Sequence, residues 1–452
     1  MKRYISEYLN NWIKKADRKP VILRGARQVG KTWIVRDFSK SADLKLIEIN
    51  FEREPEMAGI FQEKSPENII LNLERLKKIR IDKTNSLLFL DEIQKAPQVL
   101  ANLRWFYEEI PSLPIIATGS LFDFILKDYQ YSVPVGRISY LFMEPMSFKE
   151  FLIASGEDIL VKFIEEIEPD SELSIVIHNK LMTYFSHYLT VGGMPAAVKE
   201  WIENRSPFAV SEIHQDLINT FIDDFNKYTG RVPHERIQKV MLAVPRFLGR
   251  KFIYSNVDRQ ENTSSIKQSL ELLCSARICH KVCHSAARGV PLISQENEKK
   301  FKVIFLDTGL VSALLGIVLK SGSQIEELIR INSGGISEQA VGQLLRSRFA
   351  KFIDPHLNYY IREAKGSEAE IDYIINYSNN IVPVEVKAGA TGSLKSLHQF
   401  MAEREFKKAI RINSEKPQIT QINIKTITGD AAKYSLISIP FYLTEEIDRF
   451  IL

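Results

Sequence analysis

Eight consecutive residues near the amino end combine glycine, lysine and a hydroxyl group in a spacing that suits phosphate binding. They are Gly25, Ala26, Arg27, Gln28, Val29, Gly30, Lys31 and Thr32. The glycines let backbone N–H groups turn inward around an anion, and the helix that follows adds the positive end of its dipole. Lys31 can reach the terminal phosphates, and the Thr32 hydroxyl can ligate Mg²⁺. We therefore expect residues 25–33, including Trp33, to bind a nucleoside triphosphate.

A second chemical feature is an apolar run that ends abruptly in two carboxylates. The run is Leu87, Leu88, Phe89 and Leu90, followed by Asp91 and Glu92. Asp91 is placed to complete the Mg²⁺ shell with Thr32, and Glu92 is placed to polarise the attacking water as a general base. The alternative is a pair of solvated acids at the start of a helix. The preceding phosphate-binding segment favours hydrolysis.

These segments resemble the AAA-type ATPases, and specifically a bacterial and archaeal P-loop family fused to a C-terminal domain of unknown function. The resemblance rests on GARQVGKT, LLFLDEIQ, IIATGS and VGRISYLFMEPMSFKEF, and it spans nearly the whole chain. It implies binding and hydrolysis of ATP rather than GTP. It also implies a γ-phosphate sensor at the end of the fourth strand, where Thr118 and Ser120 are the candidates.

Arg137 is our candidate for an arginine that stabilises developing phosphoryl charge, because a guanidinium commonly meets such charge. It could act within its own chain or at a subunit boundary. The alternative is a surface ion pair, the usual role of an arginine in a loop before a strand.

A hairpin near the carboxyl end carries Asp372 on its first strand and both Glu385 and Lys387 on its second. Glu385 and Lys387 are two residues apart and so project from one face of a strand. This pattern is similar to the PD-(D/E)xK nuclease signature, and Glu338 matches the acid that this fold class carries on its first helix. The resemblance implies a Mg²⁺ site formed by Glu338, Asp372 and Glu385, with Lys387 orienting or deprotonating the nucleophile.

The strand register of this hairpin is the weak point of the nuclease hypothesis. A turn over residues 378–380 pairs Tyr377 with Ile381. In that register Asp372 lies opposite Val386 and faces away from Glu385, so a one-residue bulge is needed to bring the acids together. The alternative is a degenerate domain that binds nucleic acid or a protein partner without cutting it.

The segment 227–254 is strongly basic, with seven cationic residues against one acid, Glu235, a local balance of 7 − 1 = +6. The basic residues are Lys227, Arg231, Arg236, Lys239, Arg246, Arg250 and Lys251. Such a cluster is typical of a surface that contacts the phosphate backbone of DNA. The alternative is a solvated helix face or a docking surface for acidic neighbours.

The three cysteines, Cys274, Cys279 and Cys283, alternate with His280 and His284 in a way that suggests zinc. In a strand, Cys279 and Cys283 would be about 13 Å apart, too far to share one ion at Zn–S distances of roughly 2.3 Å. We therefore interpret the cysteines as small packing residues.

The elements that must position these residues alternate between short apolar runs and amphipathic stretches, which predicts an α/β fold with a parallel P-loop NTPase sheet. The strands expected in that sheet are Pro20 to Leu23, Leu44 to Asn50, Ser86 to Leu90, Leu113 to Thr118 and Ile138 to Phe142. We expect four domains: a P-loop ATPase domain at 1–150, a helical lid at 151–230, a winged-helix-like unit at 231–315 and a restriction-endonuclease-like α/β domain at 316–452.

Composition agrees with a soluble globular protein, since 45% of the 452 residues are hydrophobic and 26% are charged. No secretory signal or membrane-spanning stretch is evident, which predicts a cytoplasmic protein without a membrane partner. The work we expect is ATP-dependent action on DNA. The competing hypothesis is a switch in which ATP occupancy changes docking with a protein partner and turnover resets it. The oligomeric state does not follow from the sequence.

Overall fold

The protein, studied as a computed structural model, is described for residues 1–119, 136–169, 172–226, 232–317, 334–364, 367–388 and 393–451. The chain forms two compact units. The first contains Met1–Glu144, Ser275–Arg277 and Ala350–Asp354. The second contains Pro145–Cys274, Ile278–Phe349 and Pro355–Leu452.

The first unit is built on a parallel sheet in the order β2-β3-β4-β1-β5. Its strands are β1 Val21–Arg24, β2 Lys45–Asn50, β3 Ser86–Asp91, β4 Ile115–Gly119 and β5 Ser139–Phe142. Every residue of β3 and β4 is buried, as expected for strands covered on both faces. The predicted fold class is confirmed, and each strand ends within two residues of its predicted bounds.

Helices of this unit follow the strands in the alternation that a parallel sheet requires. They are α1 Ile5–Ile13, α2 Lys31–Ser41, α3 Pro66–Lys77 and α4 Val99–Glu109. Pro66 suits the first position of α3, where no backbone donor is needed, and Ile69, Ile70 and Leu73 bury one side of that helix.

The carboxyl ends of the central strands meet at one edge of the sheet. Leu23 on β1 lies beside Thr118 on β4, and Leu90 on β3 lies beside Ala117 on the same strand. Ligands of open α/β sheets bind outside this edge. The residues expected to bind nucleotide follow it directly.

The second unit begins with helices, as predicted for residues 151–230. Its helices are α5 Phe148–Ala154, α6 Asp158–Glu166, α7 Ile175–Val191, α8 Pro195–Asn204, α9 Pro207–Asn226, α10 His234–Ala243, α11 Tyr254–Val257, α12 Thr263–Ser275, α13 Thr308–Leu314, α14 Gly335–Ser347, α15 Lys395–Arg404 and α16 Ile447–Ile451. Ser147 and Glu150 form a capping box at the start of α5, which satisfies two backbone donors that the helix leaves free.

An eight-stranded mixed sheet forms the rest of this unit, in the order β12-β13-β11-β10-β9-β8-β6-β7. The strands are β6 Cys279–Ser285, β7 Glu296–Phe305, β8 Leu357–Ala364, β9 Ser367–Tyr377, β10 Asn380–Val386, β11 Lys408–Asn413, β12 Gln418–Lys425 and β13 Ala431–Pro440.

The predicted winged-helix-like unit at 231–315 requires a correction. Its two strands, β6 and β7, form an antiparallel pair. However, β6 also pairs in parallel with β8, where Val282 lies beside Leu357. The second edge of β6 needs hydrogen-bond partners, and β8 supplies them. The pair therefore continues the C-terminal sheet and does not close a separate unit at residue 315.

The register of the C-terminal hairpin also differs from the prediction. The turn has two residues, Ser378 and Asn379, with left-handed φ values of 46° and 66°. This is the backbone of a type I′ turn, which pairs Asn380 with Tyr377. One step beyond the pairing of Val384 with Tyr373, this register sets Asp372 opposite Glu385, and no bulge is needed.

Across the residues that the structure describes, none of the helices combines the length and apolar character needed to cross a membrane.

Candidate active site

The turn after β1 contains residues with a left-handed backbone conformation. Gln28 and Gly30 have φ values of 63° and 98°, in the left-handed region. At Gly25 a Cβ atom would lie 2.3 Å from the carbonyl oxygen of Met143, closer than real Cβ contacts allow. Lys31 then begins α2. Glycine therefore suits position 25, where a side chain would clash, and position 30, where the backbone is left-handed.

The Lys31 ammonium lies inside this loop. Its Nζ donates hydrogen bonds to the carbonyl oxygens of Gly25 at 2.9 Å and Ala26 at 2.7 Å. Burial lowers the pKa of Lys31 to about 8, although the charges of Glu92 and Asp91 oppose that shift. The ammonium is thus held by backbone acceptors at the place where phosphate oxygens are expected.

Asp91, the last residue of β3, receives hydrogen bonds from three neighbouring elements. The Thr32 hydroxyl donates to its Oδ2 at 3.2 Å, and so does the side-chain amide of Asn50 at 3.2 Å. The Thr118 hydroxyl donates to its Oδ1. The hydroxyl and carboxylate oxygens of Thr32 and Asp91 are the ligand type that Mg²⁺ prefers, so this pair fits the ion.

Glu92 has a left-handed backbone, with φ of 53°, and its side chain is held by Gln94. The Gln94 amide donates to Glu92 Oε2. Burial raises the pKa of the Glu92 carboxyl above its usual range, whereas the hydrogen bond from Gln94 lowers it. A carboxyl with a raised pKa is suited to accept a proton near neutral pH. The prediction for Glu92 included no partner of this kind.

Arg137 does not lie near the loop of its own chain. It is exposed, it pairs with Glu108 at 2.7 Å, and it lies over the ring of Tyr107. It precedes β5, whose first residue, Ser139, is beside Val21 at the amino end of β1. The length of β1, about 13 Å, therefore separates it from the loop. The expected role within one chain is corrected, and a role toward a neighbouring subunit remains a prediction.

Of the remaining predicted residues, Trp33 is on α2 with 44% of its surface exposed. Ser120 lies outside the described residues. Thr118, the other sensor candidate, is fully buried at the end of β4.

Arg277 is a residue of this unit that sequence analysis missed. Its guanidinium pairs with both oxygens of Asp354, at 3.0 and 2.7 Å, and lies 4.8 Å from the ring centroid of Phe142. Burial is the main cause that lowers the pKa of Lys31, and the charges of Arg27 and Arg277 lower it further. Only the fold brings this distant segment to the loop.

The acids expected at the C-terminal metal site come together around a lysine. Nζ of Lys302 on β7 lies 2.7 Å from Glu338 Oε1, 2.5 Å from Glu370 Oε1 and 3.5 Å from Asp372 Oδ1. Glu385 pairs with Lys387. We call Glu338, Glu370, Asp372 and Glu385 the carboxylate cluster.

Sequence analysis missed Lys302 and Glu370. The available signal was a lysine between Phe301 and Val303, in a run that is buried from Phe301 to Phe305. It was overlooked because β7 was expected to belong to another unit.

Burial also shapes the titration of the carboxylate cluster. It raises the pKa of Glu385 to about 8, with a further increase from the charge of Asp372. It raises the pKa of Glu338 to about 7, although the charge of Lys302 opposes that shift. Both acids therefore hold protons more strongly than ordinary glutamates.

The basic segment is only partly available to a ligand. Arg236 pairs with Glu261, and Lys239 pairs with Asp258. Arg246 and Arg250 are exposed. Lys227 and Arg231 lie outside the described residues, and Lys251 makes a bridge to Lys302 through its backbone.

The cysteines are buried or half-buried. Cys279 and Cys283 lie on β6, where burial raises the pKa of each thiol. All three are free thiols.

Three family models match parts of the chain. Residues 17–152 match the AAA domain. Residues 182–321 match a domain of unknown function, DUF8612, and residues 333–429 match another, DUF4143. Among curated proteins, none matches the chain.

Several solved structures are similar to the chain at low identity. A Walker-type ATPase of Pyrococcus abyssi is 16% identical, with 70% of this chain and 95% of that chain covered and a TM-score of 0.44. A signal transduction ATPase with numerous domains and a tetratricopeptide repeat sensor, from Pyrococcus horikoshii, is 12% identical, with 77% and 46% covered and a TM-score of 0.25. A protein of Vibrio cholerae is 11% identical, with 95% and 97% covered and a TM-score of 0.19.

Proposed function

We propose that the AAA domain matched by residues 17–152 binds ATP with Mg²⁺ and hydrolyses it. The family match supports an AAA-type P-loop ATPase. The observation that carries the residue assignment is the 3.2 Å hydrogen bond between Thr32 Oγ1 and Asp91 Oδ2. It joins, at the head of α2, the two oxygen donors that P-loop ATPases use for Mg²⁺.

In this proposal the phosphates are bound by the loop and by Lys31. The backbone N–H groups of residues 25–33 point toward the anion, and the dipole of α2 adds to the attraction. Lys31 exchanges its present acceptors, the carbonyl oxygens of Gly25 and Ala26, for phosphate oxygens. Its lowered pKa returns to a higher value when the phosphate charge arrives, because an opposite charge favours the ammonium.

The chemical step is assigned to residues at the carboxyl ends of β3 and β4. Thr32 and Asp91 would hold Mg²⁺, which neutralises phosphate charge. Glu92 orients the attacking water and takes its proton, a role that requires release from Gln94. Thr118 senses the γ-phosphate through its hydrogen bond to Asp91.

Two substitutions separate binding from chemistry. Lys31→Ala should abolish ATP binding, because it removes the buried ammonium from the loop. Glu92→Gln should keep binding and lose turnover by roughly 10²- to 10⁴-fold, the usual contribution of a general base. Both are measured by ATP titration and by phosphate release, with Gln62→Leu, at an exposed position, as the control. Normal hydrolysis by Glu92→Gln would remove Glu92 from the role of base.

Action on DNA is the use of ATP that we propose for the chain. It is supported by Arg246 and Arg250, which are exposed within the basic segment and have no acid partner among the described ion pairs. Arg236 and Lys239 do not add support, because acids already pair with them.

The alternative use is a nucleotide switch, and DNA stimulation of turnover distinguishes the two. A DNA-acting ATPase should hydrolyse ATP faster when DNA is added, and the stimulation should weaken with salt. Changing Arg246 and Arg250 together to Glu should remove the stimulation, whereas the same change at the exposed pair Lys425 and Lys433 should not. If the rate of ATP hydrolysis is the same with and without DNA of every topology, the nucleotide switch is favoured.

For Arg137 we retain a role toward a neighbouring subunit. It is supported by the exposure of this arginine and by its weak surface pairing with Glu108. If the role is correct, Arg137→Ala lowers turnover, and mixing it with Lys31→Ala restores part of the activity through mixed assemblies.

A further inference from the structure

The carboxylate cluster already contains a cation that belongs to the chain. An ammonium has three N–H donors, and Lys302 meets three carboxylates, those of Glu338, Glu370 and Asp372. The Lys302 residue is only 1% exposed. Its Nζ also lies 5.4 Å from the ring centroid of Tyr359, a second favourable contact for a cation.

We propose that Lys302 takes the position that a divalent metal would need, so that the second unit neither binds such a metal in the carboxylate cluster nor cuts DNA by metal-dependent hydrolysis. The predicted ligands, Glu338, Asp372 and Glu385, are present, but their arrangement does not fit the ion.

Most oxygens of the predicted metal ligands already have partners within the chain. Asp372 uses Oδ2 to accept the backbone N–H of Val386 at 2.8 Å. Glu385 uses Oε1 to accept from Lys387, and only its Oε2 is buried without a hydrogen bond. Mg²⁺ requires near-octahedral coordination by oxygen at about 2.1 Å, so to bind these acids it would have to displace the partners that they already have. Within the described ranges, no group of three or more His, Cys, Asp or Glu side chains is arranged to hold a metal.

The ammonium also cannot leave the cluster at low cost. A metal entering between the same carboxylates would meet the charge of Lys302 within a few ångströms, and buried like charges repel strongly. Lys302 lies in the buried part of β7. Moving it into an apolar interior would leave a buried charge unpaired, which is strongly unfavourable.

Two contacts of Glu338 indicate that its ion pair with Lys302 is permanent rather than transient. At Gly249 a Cβ atom would lie 2.9 Å from Glu338 Oε2, so the backbone closes over that carboxylate. The Tyr373 hydroxyl donates to the carbonyl oxygen of Glu338 at 2.8 Å, which fixes this turn of α14. Glu338 is thus held from both sides against Lys302.

The direct test is Mn²⁺ binding by the intact wild-type chain without nucleotide, followed by electron paramagnetic resonance up to millimolar metal. A parallel titration of Asp91→Asn shows how much Mn²⁺ binds at the P-loop. The result for the carboxylate cluster therefore does not depend on whether the proposed ATPase site is correct. We expect the same isotherm for wild type, Glu385→Gln and the exposed control Glu405→Gln. A bound Mn²⁺ in wild type that disappears in Glu385→Gln overturns the proposal.

A second test changes the lysine itself. Lys302→Met keeps the length of the side chain and removes its charge, so we expect Tm to fall by roughly 5 °C or more, since breaking a buried pair leaves its acids uncompensated. Adding Glu338→Gln should recover part of the loss. With Asp91→Asn present to remove the P-loop site, Mn²⁺ should raise the Tm of the protein carrying Lys302→Met and leave the Tm of the protein with Lys302 unchanged, because only the former has room for the ion.

These outcomes remain decisive even if Lys302→Met alone does not fold. In that case the test uses the Tm of the double variant Lys302→Met with Glu338→Gln, and the Mn²⁺ isotherm of wild type. A Tm of Lys302→Met equal to that of wild type, or equal stabilisation of both by Mn²⁺ when Asp91→Asn is present, contradicts the assignment of Lys302 as the resident cation.

Discussion

Glu92 illustrates how one neighbour can set the chemistry of a residue. Its burial opposes ionisation, and the amide of Gln94 supplies the hydrogen bond that makes the carboxylate tolerable. Gln94 is itself nearly buried, and its Oε1 has no hydrogen-bond partner. In this resting arrangement the hydrogen bond from Gln94 favours the ionised form of Glu92 and fixes its side chain.

Removing this amide should change the pH profile of turnover. Gln94→Leu deletes a hydrogen bond to the ionised form, so the pKa of Glu92 rises further. Because a general base must be ionised, the acid limb of kcat/KM, which reports the free enzyme, should move to higher pH. Turnover is measured from acid to alkaline pH beside the exposed control Gln62→Leu. An acid limb at the wild-type pH would show that Gln94 does not influence the base.

At the residue scale, the sequence predicted what is local in the chain. The loop from Gly25 to Thr32 and the pair Asp91 and Glu92 are contiguous motifs, and the strands before them are apolar runs, so spacing alone located them. Arg277 and Lys302 were missed because their partners are distant in sequence. No local pattern records that Lys302 and Asp372 are 3.5 Å apart.

Among the elements, the hairpin of β9 and β10 depends most on a few backbone angles. Ser378 and Asn379 are exposed, and both have left-handed φ values. The two-residue turn sets Asp372 opposite Glu385, because a shift by one residue would turn each side chain to the other face. The local identity of the turn thus determines the geometry of the carboxylate cluster.

This turn should respond to residues according to their tolerance of positive φ. Changing Ser378 and Asn379 to Asn-Gly should stabilise the protein by roughly 0.5–1 kcal/mol, and Asn379→Val should destabilise it by roughly 1–2 kcal/mol. Denaturant midpoints measure both. Asn380→Val, at the first exposed position of β10, is the control and should be neutral or favourable. If Val is tolerated equally at 379 and 380, the type I′ turn is not what fixes the register.

Sequence analysis located many strands but did not predict correctly how they pair. The five strands of the first sheet and the hairpin of β9 and β10 were located, because apolar runs bounded by turns are strong signals, but β11, β12 and β13 were not predicted. Their partners were less accessible: β6 and β7 were assigned to a separate unit, since nothing in a single sequence shows that Val282 will pair with Leu357. The hairpin register failed by one residue because Asn380 was placed in the turn rather than in the strand.

For the whole molecule, the carboxylate cluster predicts a dependence of stability on pH. Burial raises the pKa of Glu338 from 4.5 to about 7 and the pKa of Glu385 from 4.5 to about 8. Between the unfolded and folded pKa of each residue, the folded state therefore binds more protons than the unfolded state. Stability from this source is fully present below pH 4.5 and is lost as pH rises through 8.

Glu385→Gln isolates this contribution, because its amide resembles the protonated carboxyl. Relative to wild type, the free energy of unfolding of the variant should improve as pH rises from 5 to 9, by roughly 4 kcal/mol. Denaturant unfolding at several pH values measures the difference. Glu405→Gln, at an exposed position, should show no such trend. A constant difference between Glu385→Gln and wild type would mean that Glu385 titrates as an ordinary glutamate.

The first unit is discontinuous in sequence, and this gives a prediction for a fragment of residues 1–150. In the full chain, the backbone N–H of Phe142 donates to the carbonyl oxygen of Lys351 at 2.7 Å, and Arg277 lies against the Phe142 ring. The fragment lacks both partners, so the outer side of β5 is left unpaired. Hydrogen–deuterium exchange should therefore be faster in the peptide Ser139–Phe142 of the fragment than in the full chain, while the central strand Ser86–Asp91 keeps its protection in both. Equal protection of Ser139–Phe142 in both proteins would mean that residues 1–150 complete the unit without the later segments, and that Ser275–Arg277 and Ala350–Asp354 contribute nothing to its outer strand.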